Sequence, residues 1–213
     1  VLGGDRERTR RLTDPIGRAV AATGVSPNAL TLLQLALAVP VALLLWKGPL
    51  VWGGAAMLVA VSLDFVDGTV ARVTGRATRA GGYLDSMVDR FVDALMLLPL
   101  LLRYDETRVW LAGSVFLFAM TVTSFARARV FQDLRPPPAS TWRRDLLERP
   151  DRYALLVPAV LAQGLLDLAG VRVEVLFWAL VVLAVLSLAT VLQRMRTAMR
   201  LLAEVDARGG DGA

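Results

Sequence analysis

Asp64-Phe65-Val66-Asp67-Gly68-Thr69-Val70-Ala71-Arg72, followed eight residues later by Gly81-Gly82-Tyr83-Leu84-Asp85-Ser86-Met87-Val88-Asp89, places four aspartates on two neighbouring apolar segments. An ionised carboxylate at membrane depth costs about 2.5 kcal/mol or more, so such residues are rare there and mark function. Four together need a cation.

The chain around them is that of an integral membrane protein. It has 213 residues, 55% of them hydrophobic, and a mean hydropathy of +0.53. That is too apolar for an ordinary soluble domain and long enough for several spans. Cysteine and histidine are absent, which removes disulfides, thiolate chemistry, zinc-type sites and imidazole catalysis together. Carboxylates, hydroxyls and arginines must carry any reaction. A pI near 10.6 raises the question of nucleic acid, but the arginines lie between apolar runs and form no aromatic-interleaved patch, so no nucleic-acid partner is expected. The arginine-rich leader lacks a short apolar core with a small-residue cleavage site, so no signal peptide is expected.

Outward from the aspartates, six apolar segments come near the roughly 17–25 residues of a span: 30–46, 50–70, 83–102, 109–131, 153–168 and 173–192. The expected fold is therefore all-α, with six transmembrane helices. The polar turn 73–80 joins spans two and three as an antiparallel hairpin, because backbone in the bilayer must satisfy its own hydrogen bonds. Residues 8–23 mix arginines with Leu12, Ile16, Ala19 and Val20, the pattern of an amphipathic helix in the membrane interface. Domain limits follow: a leader with that helix over 1–29, a six-helix domain over 30–200 and a tail over 201–213. Pro136-Pro137-Pro138 marks a loop, and the Gly-rich end 208–213 reads as disordered.

Arginines crowd the leader, the turn 73–80, the connection 127–152 and the region after 192, whereas the opposite connections hold only Lys47, Arg103, Arg108 and Arg172. The positive-inside rule puts both ends and the aspartates on the cytoplasmic side of the cell membrane. Trp46, Trp52, Trp110 and Trp178 near span ends read as interfacial belts. Gly53, Gly54 and Gly113 read as close-packing positions.

On a helix, residues three or four apart share a face, so Asp64 and Asp67 converge on one span while Asp85 and Asp89 converge on the next. Divalent cations that prefer hard oxygen, Mg²⁺ or Mn²⁺, relieve the repulsion. Gly68 and Gly81 flank the cluster without side chains, and Arg72, one turn from Gly68, offers a guanidinium to a phosphate. Two other readings compete. The acids could pair with nearby arginines, Asp89 with Arg90 or Asp85 with Arg79, or they could line a cation-coupled transporter.

The pattern Asp-x2-Asp-Gly-x2-Ala-Arg-x8-Gly-x3-Asp-x3-Asp is similar, at every fixed position, to the signature of the CDP-alcohol phosphotransferases, with Asp64, Asp67, Gly68, Ala71, Arg72, Gly81, Asp85 and Asp89 in order. The resemblance extends over the six-span layout and includes Pro27-Asn28-x2-Thr31. It implies an enzyme that moves a phosphatidyl-type group, diacyl or archaeol, from a CDP-linked lipid to an alcohol and releases CMP. It further implies two divalent ions, Mg²⁺ or Mn²⁺, held by Asp64, Asp67, Asp85 and Asp89, with Asp89 also the catalytic general base. Asp67, Gly68, Ala71 and Arg72, with Asn28 and Thr31, would border the cytidine diphosphate. A homodimer is compatible with the family.

For the acceptor, Arg79, Arg127, Arg129, Arg149 and Arg152 form a set of cytoplasmic-side guanidinium forks suited to phosphate. They look similar to the basic pocket of the branch that uses inositol 1-phosphate, the phosphatidylinositol-phosphate and archaetidylinositol-phosphate synthases. The stretches Ala126-Arg127-Ala128-Arg129 and Glu148-Arg149-Pro150-Asp151-Arg152 carry that likeness, while Val130-Phe131 departs from it. The expected acceptor is inositol 1-phosphate; glycerol 3-phosphate as acceptor, or CDP-inositol as donor, are the alternatives of the same chemistry. Asp93, one turn beyond Asp89, could orient a ligand or a basic partner.

Overall fold

The structure is a computed structural model that describes residues 6–133 and 145–210. Among the described residues there are seven helices and no strand: α1 (Arg6–Ala21), α2 (Pro27–Lys47), α3 (Leu50–Val73), α4 (Arg79–Tyr104), α5 (Thr107–Asp133), α6 (Arg149–Leu168) and α7 (Val175–Gly210). The expected loop at Pro136–Pro138 and the last residues of the tail, 211–213, lie outside the described residues.

Local sequence sets the helix starts. Ser26 caps α2 by accepting the Ala29 N–H at 3.2 Å, with Pro27 in the first turn where its missing donor is harmless. Thr78 caps α4 by accepting the Gly81 N–H at 3.0 Å. Asp151 reaches back to accept the Glu148 N–H at 3.1 Å, and Pro150 sits in the first turn of α6. These caps begin α2 and α6 earlier than the apolar runs suggest, so Asn28, Arg149 and Arg152 are helical.

Contacts fix the directions. Thr31 at the start of α2 meets Asp67 late in α3, and Gly81 at the start of α4 lies against Asn28. Arg103 at the end of α4 donates to the Gly48 carbonyl beyond α2 at 2.7 Å. Hence α2 and α4 run parallel and α3 runs against both. The expected α3–α4 hairpin is corrected in one respect: its two arms hardly touch, and α2 packs against each of them instead. Two carboxylate-bearing faces repel, and the separation leaves room between them for a ligand.

Helix α6 runs against α3, with Arg149 near Asp64 at one end and Gly164 on the backbone of Val51 at the other. A Cβ at Gly164 would sit 2.5 Å from the Val51 nitrogen, so only glycine permits this approach. Helices α5 and α7 are parallel neighbours, tied at one end by Arg108 to Glu174 and at the other by Arg194 to the Thr123 carbonyl. The core between the helices is Leu45, Met57, Met96, Leu97, Leu100, Phe116, Leu180 and Leu183, all fully buried. Trp52, Leu58, Val59, Phe91, Leu111, Phe118, Phe125, Trp178 and Val185 are exposed around the outside, an apolar surface that suits lipid.

Of the six expected spans, four helices are long and apolar enough to cross a membrane: α2, α3, Thr107–Val130 of α5 and Val175–Ala207 of α7. α4 and α6 are long enough, but charged residues interrupt their apolar runs, among them Asp85, Asp89, Asp93, Arg149 and Arg152. The expectation of a disordered end is corrected for residues 208–210, since α7 continues unbroken to Gly210. Its 36 residues measure about 54 Å, well beyond the roughly 30 Å of a bilayer core.

Candidate active site

The starts of α2, α4 and α6 and the later part of α3 meet at one end of the bundle, where the aspartates collect. One carboxylate oxygen from each of Asp64, Asp67 and Asp85 lies within 4.8 Å of the other two. Asp67 is buried, 4% exposed, and accepts a 2.7 Å hydrogen bond from the Thr31 hydroxyl. Among the described residues no arginine stands within ion-pairing distance of Asp67 or Asp85. Two close carboxylates without a counter-charge, in an all-oxygen donor set, fit a hard divalent cation such as Mg²⁺ or Mn²⁺.

Asp89 stands apart from this trio. Its two oxygens face Arg149 at 2.8 Å and Arg90 at 3.2 Å. The expected Asp89–Arg90 pair thus exists, whereas Asp85 does not pair with Arg79. Arg149 also reaches Asp64 at 2.8 Å and, through Nε, Asp93 at 3.1 Å. Asp93 is buried and accepts a second bond, from the Tyr153 hydroxyl at 2.7 Å.

Two cavities flank the acids. The smaller, about 170 Å³, is lined by Asn28, Thr31, Asp67, Gly68, Ala71 and Asp85, together with Arg76, Thr78 and Gly81. Five of the six residues expected at the nucleotide are here. Gly68 presents open space, with only Arg72 Nη1 within 4 Å of where a Cβ would stand. Arg72 itself is exposed, donates to Thr69 at 2.8 Å and does not line the cavity.

The larger cavity, about 550 Å³, is lined by the acids Asp85, Asp89, Asp93, Asp145 and Glu148 interleaved with Arg90, Arg127, Arg149, Arg152 and Arg194. Three of the five expected acceptor arginines are therefore brought together. Arg79 and Arg129 are not; both are exposed, and Arg129 bonds Gln132 on its own helix at 3.0 Å. Arg152 donates to Thr123 at 2.9 Å while its Nε is buried without a partner, an orphaned donor that a bound anion would satisfy.

Arg194 and Asp145 are the residues that sequence reasoning missed. Arg194 is buried, bonds Asp145 through Nε at 3.2 Å and donates to the Thr123 carbonyl. It stands one residue past Gln193 in a run of basic residues that reads as a membrane anchor. Its distance from the motif in sequence gave no signal.

A sequence model of the CDP-alcohol phosphatidyltransferase family matches residues 24–186. The phosphatidylinositol phosphate synthase of Mycobacteroides abscessus is 33% identical over 198 residues, covering 89% of this chain and 84% of that protein. That of Streptomyces avermitilis is 35% identical over 205 residues, covering 93% and 82%. The crystal structure of Mycobacterium tuberculosis phosphatidylinositol phosphate synthase with CDP-DAG bound is similar with a TM-score of 0.72 at 30% identity, covering 88% of this chain and 94% of that one. Its complex with manganese and citrate gives 0.72 at 29% identity, with 88% of each chain covered. Neither the geometry, with all four motif acids at one end of the bundle, nor these relatives support a transporter. The eight-residue signature, its acids gathered between two cavities, and a family match from residue 24 to residue 186 together show that this chain belongs to the CDP-alcohol phosphatidyltransferase family.

Proposed function

We propose that this chain transfers a phosphatidyl group from a CDP-linked diacylglycerol to inositol 1-phosphate and releases CMP. The observation that carries this reading is the position of the acid cluster between two cavities, one walled partly by small residues and one into which Arg127, Arg152 and Arg194 converge from three helices, with Asp85 in the wall of both. The small cavity, with glycine and alanine on one wall, takes the cytidine diphosphate. The arginine-lined cavity takes the phosphate of the acceptor. The CDP-DAG held by the Mycobacterium tuberculosis relative supports the donor, and the names of the relatives support the acceptor.

Asp64, Asp67 and Asp85, with Asp89 beside them, would hold two ions of Mg²⁺ or Mn²⁺, which neutralise charge on the diphosphate and its leaving group. The manganese in the second relative's structure agrees with that choice. Thr31 fixes the rotamer of Asp67 from the nucleotide side. Asp89, on the acceptor side, takes the proton of the inositol hydroxyl as its oxygen bonds to the lipid-bearing phosphorus. The bond from that phosphorus to the CMP oxygen breaks. Arg127, Arg152 and Arg194 hold the acceptor phosphate, and Arg79 and Arg129 serve as cytoplasmic anchors.

In the same reading α2 to α7 all cross the membrane. α4 and α6 can do so because Asp93, Asp151 and Arg152 turn inward and are buried. α1 lies in the interface against α3, residues 30–200 form the catalytic domain, and the arginine-rich site end faces the cytoplasm. The test is CMP release by the purified protein with CDP-diacylglycerol and Mg²⁺ or Mn²⁺, offered inositol 1-phosphate, free inositol, glycerol 3-phosphate or serine in turn. Inositol 1-phosphate alone should support turnover. Equal rates with free inositol or serine would overturn the acceptor, and a preference for glycerol 3-phosphate would reassign it.

A further inference from the structure

Arg149 was expected on the acceptor phosphate and lines the larger cavity; its Nη2 is buried without a hydrogen-bond partner, while Nη1 and Nε face the acids. Nη1 lies 2.8 Å from Asp64 and 2.8 Å from Asp89, and Nε lies 3.1 Å from Asp93. The group is anchored from behind, since Tyr153 is buried, bonds Asp93 at 2.7 Å and places its ring 5.4 Å from the guanidinium carbon. Arg149 is itself mostly buried, its side chain 17% exposed. A fork fixed on two sides and joined to one oxygen of each of two motif acids is a built-in part of the cluster.

We infer that Arg149 is a positioning residue of the metal site, a resident monovalent cation that holds Asp64 and Asp89 and sets how strongly the cluster binds divalent ions. This rests on the two-metal reading above. Charge counting supports it: the five carboxylates of Asp64, Asp67, Asp85, Asp89 and Asp93 would face two divalent ions and two guanidiniums, Arg149 and, at 3.2 Å from Asp89, Arg90. With Arg149 in place the loaded cluster carries one net positive charge; Asp64 keeps one oxygen for metal, while the second oxygen of Asp89 meets Arg90. Without it the loaded cluster is neutral, and two ligands lose their restraint.

The two consequences have opposite signs, which separates them from general structural damage. Removing a positive charge a few ångströms from the ions should tighten metal binding by about 10-fold or more. Releasing Asp89 should slow the reaction, because a misplaced base loses its reach to the acceptor hydroxyl. Damage to the site would weaken both together. Lysine preserves the charge but is a point donor on a flexible stem that cannot hold Asp64, Asp89 and Asp93 at once.

The experiment titrates Mn²⁺ into the full-length protein in detergent or nanodiscs, without substrate, and reads free Mn²⁺ by electron paramagnetic resonance. Wild type, Arg149→Gln and Arg149→Lys are compared, and CMP release is measured in parallel. The expected result is a Kd for Mn²⁺ lower by about 10-fold or more in Arg149→Gln and within about 3-fold of wild type in Arg149→Lys, with turnover reduced at least about 100-fold in both. An unchanged or weaker Mn²⁺ affinity in Arg149→Gln overturns the inference. So does normal turnover in Arg149→Lys, which stands as the test if the glutamine variant does not fold. A wild type that binds no Mn²⁺ overturns the metal-dependent function itself.

Discussion

Replacing Thr31 with valine removes one hydroxyl and keeps the shape. Its oxygen stands 2.7 Å from Asp67 and 3.2 Å from the Pro27 carbonyl of its own helix; the single proton goes to the shorter, charged partner. Both side chains are 4% exposed, so water cannot replace the lost donor at low cost. A buried hydrogen bond to a charged group is worth about 1.5–3 kcal/mol, or roughly 10- to 150-fold. Asp67 lies at the boundary between the nucleotide cavity and the acids, so the loss should fall on kcat/KM for the CDP-lipid. Thr31→Ser keeps the hydroxyl and should stay within about 3-fold of wild type. The assay is initial-rate CMP release at varied donor and saturating acceptor, with thermal melting to show that both variants are folded. Valine and serine variants of equal activity would refute the role given to this bond.

Asp89→Asn should lower turnover by about 10²–10⁴ while donor binding, measured by CDP-lipid protection against heat, is largely kept; joint loss of donor and metal binding would make Asp89 a ligand alone. Arg194→Gln should raise the acceptor KM by roughly 10-fold or more and leave the donor KM near its wild-type value, as read from initial rates with each substrate varied. Gly164→Ala forces a Cβ to 2.5 Å from the Val51 nitrogen, a backbone atom that cannot swing aside. The cost should be about 1–3 kcal/mol, seen as a lower melting temperature with the acceptor preference unchanged.

The acids were legible because a helix turns every spacing of three or four into a shared face, and because charge in an apolar run stands out. Asp64, Asp67 and Asp85 meet as that geometry requires. Asp89 lies beside them, but its pairing with Arg149 could not be read, since the partner is sixty residues away on α6. Asn28, Thr31 and Ala71 were placed by resemblance, and the fold brings them to one cavity. Arg72, placed by the same resemblance, bonds Thr69 on its own helix and stands outside that cavity's lining. Arg194 shows the limit most clearly. A basic residue near the end of an apolar helix reads as an anchor, and only the parallel packing of α5 against α7 turns it toward Thr123 and the cavity. Six apolar segments were read as spans, but of the described helices only α2, α3, α5 and α7 are apolar enough to cross a membrane on composition alone, because α4 and α6 carry charges such as Asp93 and Arg152 that are buried within the bundle.

The most direct measurement is CMP release from CDP-diacylglycerol and inositol 1-phosphate by the purified protein, before and after chelation of divalent metal, with Asp64→Asn, Asp67→Asn and Asp85→Asn alongside. Chelation should abolish release, Mg²⁺ or Mn²⁺ should restore it, and the three variants should stay folded but inactive with metal present. Turnover that survives chelation, or near-normal CMP release from all three variants, would contradict the assignment of these aspartates as the metal-binding centre of a phosphatidyl transferase.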